Sequence, residues 1–85
     1  MKYLATCFSH FGAMSMRDLC RKKHLDGTLR PVPRMLSSSC GVCVIWEDDR
    51  MSFSLEEIPE EVEQIYEETA DSRHPWNSIY TAEKL

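Results

Sequence analysis

The order of short strand-like and helical patterns predicts an α+β fold of order β-α-β-β-α-β: an antiparallel sheet with two helices on one face. Three observations lead there. Residues 42–47 are an unbroken Val/Ile/Trp run of the kind that fills a covered central strand. Ala13, Met16, Leu19 and Cys20 fall on one face at helical spacing. Leu55, Ile58, Val62, Ile65 and Thr69 repeat that stripe later in the chain. At 85 residues the chain can bury roughly 64% of its extended surface, enough for one modest core and no interlobe cleft. It therefore reads as one domain over 1–85, with its core at about 3–69 and a C-terminal loop and last strand in 70–85.

Taken in order, residues 2–8 carry β-branched and aromatic types without a breaker and predict a strand. Ser9 can cap a helix over 10–24. Its last turn, Arg21-Lys22-Lys23-His24, suits the negative end of the helix dipole. Asp26-Gly27 then turns the chain. Residues 28–33 predict a second strand, placed at an edge because Pro31 and Pro33 cannot donate ladder hydrogen bonds. The Ser-rich stretch 34–41 reads as a loop and 42–47 as the third strand. Ser54 and Glu57 have the spacing of a capping box and predict a second helix to about 69, although Pro59 lacks an N–H to give it. A loop over 70–76 and a short strand over 77–82 complete the order. This is the ferredoxin-like, split βαβ arrangement, in which the first and third strands are neighbours.

Charge and motifs exclude several functions. The net charge of −4 hides two unequal halves. Residues 1–43 hold seven Lys/Arg against two acids, and residues 44–85 hold three against twelve. The plainer reading is two solvated faces of opposite sign; the sharper one is a basic patch that meets an acidic partner. Nothing resembles a nucleic-acid motif, a phosphate-binding glycine loop or a paired-carboxylate site. The longest apolar run, Val42–Trp46, is far below the ~20 residues of a membrane span. No signal-peptide pattern opens the chain, so a cytoplasmic protein without membrane or nucleic-acid partners is expected.

The chemistry concentrates in Pro33-Arg34-Met35-Leu36-Ser37-Ser38-Ser39-Cys40-Gly41-Val42-Cys43. A thiol acts as a nucleophile or sulfur carrier only as thiolate. Arg34 would supply positive charge, Ser38 and Ser39 hydroxyls would donate to a sulfur anion, and Gly41 would let backbone N–H groups approach. An inert thiol at a strand start is the plainer reading of Cys40. Cys43 completes a Cys-x-x-Cys pair, but it leads into a strand, where the two side chains point to opposite faces. One such pair supplies only two zinc ligands, and Cys7, Cys20, His10, His24 and His74 form no second pair; no metal or other cofactor is expected. Cys7 and Cys20 read as core residues. His10, just after the first strand, is a candidate base for Cys40.

At these residues a resemblance enters. Tyr3–Ser9, a following helix with Ala13 and Leu19, then Pro31–Arg34 and Ser37–Gly41 resemble a small bacterial family of selenium/sulfur (Se/S) carrier protein-like proteins, over about residues 3–47. The resemblance implies that Cys40 carries a persulfide or selenide, with Arg34, Ser38, Ser39 and Gly41 shaping its loop. The expected protein is then a carrier rather than an enzyme in its own right. It would take the atom from a donor such as a cysteine desulfurase and pass it to an acceptor protein. Cys43 and the tail beyond Arg73 depart from that pattern. Two rival readings remain: an interaction or regulatory module docking through the sheet or the Trp76 segment, and a dithiol redox element built on Cys40 and Cys43. A homodimer is compatible with so small a domain.

Overall fold

The computed structural model describes residues 1–83; Lys84 and Leu85, the end of the expected C-terminal segment, lie outside the described residues. The elements are β1 (Lys2–Cys7), α1 (His10–Lys22), β2 (Thr28–Pro31), β3 (Val42–Glu47), β4 (Val62–Glu68) and β5 (Trp76–Thr81). They form one antiparallel sheet of order β2-β3-β1-β4-β5. β1 and β2 run parallel to one another with β3 between them, and α1 packs against one face.

The expected ferredoxin-like βαββαβ fold with two helices is wrong: there is one helix among the described residues, and residues 62–68 of the expected second helix form a strand. The helical stripe has a different origin. Along β4, Thr6 pairs with Gln64 while Cys7 pairs with Val62, so Glu63 is an extra residue in the ladder. A bulge of this kind breaks the two-residue alternation and leaves Val62 and Ile65 on the same, helix-facing side. Their spacing of three therefore imitates a helix. The Ser54–Glu57 signal yields a single turn. The Glu57 carboxylate accepts the Ser54 N–H at 3.0 Å, and the Glu57 N–H donates to the Ser54 carbonyl at 3.0 Å. Pro59 follows, and Leu55, first in the stripe, is exposed.

Other expectations match. Ser9 caps α1, its Oγ accepting the Gly12 N–H at 3.1 Å. The helix stops slightly earlier than expected, in a Schellman motif: the Leu25 N–H donates to the Cys20 carbonyl at 2.8 Å and the His24 N–H to that of Arg21 at 3.0 Å. His24 takes the left-handed conformation this requires (φ 61°). β2 is an edge strand, and β1 and β3 are neighbours.

Two apolar clusters cover the two faces of the sheet. Beneath α1, Trp46 lies between Tyr3 (ring centroids 5.7 Å apart, stacked) and Phe53 (5.5 Å, edge-on), with Met16, Cys20, Val44, Val62 and Ile65 around it. Phe53 anchors the segment that replaces the expected second helix. On the other face Leu4, Cys43 and Tyr66 are covered by Val32, Leu36 and Trp76. α1 approaches the segment before β4 so closely that a Cβ on Gly12 would lie 2.5 Å from the Glu61 Cβ, which accounts for the glycine. No helix among the described residues is long and apolar enough to cross a membrane.

Candidate functional site

The loop between β2 and β3 starts on the open face of the sheet, where Val32 and Leu36 pack. It ends against the helix-side cluster, where Cys40 packs. Between these points it crosses the end of β1, and the Ser38 hydroxyl donates to the Cys7 carbonyl at 3.5 Å. The Cys40 N–H donates to Ser38 Oγ at 3.4 Å, and Cys40 Sγ lies 3.5 Å from the Val42 carbonyl. Gly41 has φ 76° with open space where a Cβ would stand. The glycine is therefore needed for its left-handed backbone and not for a close approach. Its carbonyl accepts the Val32 N–H at 3.1 Å, closing the loop.

Cys40 is half-buried, whereas Cys7, Cys20 and Cys43 are fully buried. Burial disfavours the thiolate. It pushes Cys7 up to about 12, with smaller contributions from Cys40, Cys43, Glu63 and Glu61, and pushes Cys20 and Cys43 up to about 11. Cys43 sits in the open-face cluster, its Sγ 3.7 Å from the Pro31 carbonyl. Cys40 packs on the other side, so the Cys-x-x-Cys pair straddles the sheet as strand alternation requires. That arrangement does not favour the dithiol reading.

The remaining sequence-nominated residues are dispersed. Arg34 is exposed in the turn after Pro33 and makes no hydrogen bond or ion pair among the described residues. Ser39 turns away from Cys40: its N–H and hydroxyl donate to the Glu63 carboxylate at 3.3 and 2.9 Å. His10 is exposed at the start of α1 and lines a cleft with Gly41 and Val42. No group of three His, Cys, Asp or Glu among the described residues could hold a metal ion.

Glu63 is the residue that sequence reasoning missed. The bulge points it at the loop, where its carboxylate clamps Ser39. On a helix it would be one more acid on a solvated face, and no local signal in the sequence marks it. Replacing Glu63 with Gln removes a negative charge from the loop and weakens its hold on Ser39. The expected result is a severalfold faster alkylation of Cys40 at fixed pH, measured with iodoacetamide. An unchanged rate would show that Glu63 does not govern access to the thiol.

Fold and site together define a one-helix, five-strand domain that presents a single accessible thiol on a loop. A family model described as "Putative Se/S carrier protein-like" matches residues 2–81, and the chain belongs to that family. No curated protein and no solved structure matched the chain.

Proposed function

We propose that the protein carries sulfur or selenium on Cys40 between partner proteins. The observation that carries this reading is the separation of the four cysteines: three are sealed in the core and one stands half-exposed on a loop. The family's description supports the same chemistry.

The step is an exchange without net oxidation. The Cys40 thiolate attacks the outer sulfur of a donor cysteine persulfide, the donor's S–S bond breaks, and the donor leaves as thiolate. Cys40 then holds the outer sulfur as a persulfide, and an acceptor thiolate removes it by the same exchange. A selenium-bearing donor would react in the same way. A cysteine desulfurase, which forms such a persulfide from free cysteine, is the donor class that fits.

The test is intact-protein mass spectrometry after incubation with a desulfurase and cysteine. Wild type is expected to gain one sulfur atom, removable by dithiothreitol, and Cys40→Ser to gain none. An adduct that survives Cys40→Ser would sink the assignment.

A further inference from the structure

Beside the Cys40 loop the sheet has an unpaired edge, β2. Val32 donates to the Gly41 carbonyl, and β2 pairs with β3 in the register Leu29↔Val44, Arg30↔Cys43, Pro31↔Val42. In an antiparallel ladder the hydrogen-bonded pairs alternate. Arg30 therefore bonds to β3, while the N–H and C=O of Leu29 point outward along the free edge; the Pro31 carbonyl already has Cys43 Sγ at 3.7 Å. Every residue of β2 is exposed.

A cleft of about 390 Å³ runs along this edge. Leu29, Pro31 and Val42 form its floor on the helix side of the sheet, His10, Ala13 and Met14 of α1 form its wall, and Gly41 closes one end. Met14 and Leu29 are exposed apolar side chains. No carboxylate of the described residues lines the cleft. Arg30 borders it and also borders a wider cleft on the opposite face, which Lys2, Asp26 and Glu47 line as well. The other edge of the sheet has the reverse character: the cleft between residues 55–60 and the end of β5 is lined by Glu56, Glu60 and Glu83.

We infer that the cleft between α1 and β2 docks an extended, acidic–apolar segment of the protein that delivers the atom to Cys40. The segment would add a strand to β2 and leave its end next to Gly41. Its main chain would bond to the N–H and C=O of Leu29, in the manner of strand-addition recognition. Alternate apolar side chains would enter the cleft beneath Met14, and the acidic ones between them would face the Arg30 side. One feature favours such a segment over a second copy of this chain: self-pairing of β2 would bring Arg30 side chains together. Pro31 and Pro33 hold either occupant to a short pairing stretch. The inference takes its donor from the carrier reading.

The test uses the full chain as Cys40→Ser, so that binding is read without sulfur chemistry. The probe is a phage-displayed library of decapeptides alternating acidic and apolar residues. Selected peptides are expected to slow exchange of the Leu29 amide hydrogen. Met14→Glu and Leu29→Pro should each weaken binding at least tenfold, and Arg30→Glu should lose the acidic preference. Circular dichroism would establish that each variant is folded; Leu29→Pro removes only an outward N–H, and Met14→Glu changes an exposed helix position. The inference is overturned if no peptide is selected, if binding survives both Met14→Glu and Leu29→Pro, or if protection appears at β5. It is likewise overturned if sedimentation shows a self-assembly that Met14→Glu dissolves, since the occupant is then a second copy. Loss of the carrier reading would instead show as wild-type protein that gains no sulfur on Cys40 while peptides still bind.

Discussion

Trp46→Ala is expected to destabilise the protein by about 3–5 kcal/mol, the usual cost of removing a buried tryptophan. A domain of this size holds on the order of 5–10 kcal/mol in total, so much of its stability would disappear. Trp46 is 1% exposed and joins Tyr3 of β1 to Phe53 of the loop before β4. Its loss empties the layer under α1 and frees the segment that feeds β4. Urea unfolding followed by far-UV circular dichroism would measure the change. A shift below about 1 kcal/mol would mean that the site collapses easily and that the aromatic layer does not hold the 48–61 segment.

Alkaline pH is expected to unfold the protein through its buried thiols. Cys7, Cys20 and Cys43 have folded-state values raised to about 12, 11 and 11, against about 8.5 for a free thiol. The folded state therefore keeps protons that the unfolded chain loses. This stability is complete below about pH 8.5 and declines as pH rises toward 11–12, by at most about 1.4 kcal/mol per pH unit for each thiol. Buried Tyr3 and Tyr66, whose phenols are also raised by burial, act in the same direction at higher pH. Denaturant titrations at pH 7.5, 9 and 10 would show a falling midpoint. At pH 8, alkylation of native protein should label Cys40 alone, and all four thiols should react in denaturant. A midpoint flat across this range, or labelling of Cys7 or Cys20 in the native state, would contradict the burial described above.

The stretches that sequence reading placed correctly owe their form to local chemistry. Ser9 caps whatever helix follows it, because its hydroxyl meets the first-turn amides directly. Pro31 confines β2 to an edge because it lacks an N–H, and Val42–Trp46 is a strand by composition. The separation of Cys7 and Cys20 as core residues from Cys40 as loop residue was also legible, since the first two sit within regular apolar patterns and the third beside a run of serines. β4 was not legible. A single extra residue at Glu63 makes a strand's inward positions recur every three residues, and only pairing with β1 reveals it. The same bulge aims Glu63 at Ser39, so the error in the fold and the missed residue in the site share one cause.

Local patterns in the amino-acid sequence marked out the helix and four of the five strands found among the described residues, the basic and acidic halves, and the thiol worth testing. Each rests on side chains acting within a few residues of one another. Tertiary structure alone decided that β1 takes β4 as a second partner in place of a covering helix. It also decided that the loop serines bond to a carboxylate and the Cys7 carbonyl, and that the free edge of β2 opens beside Cys40. Those outcomes depend on groups far apart in the chain, whose meeting no local pattern encodes.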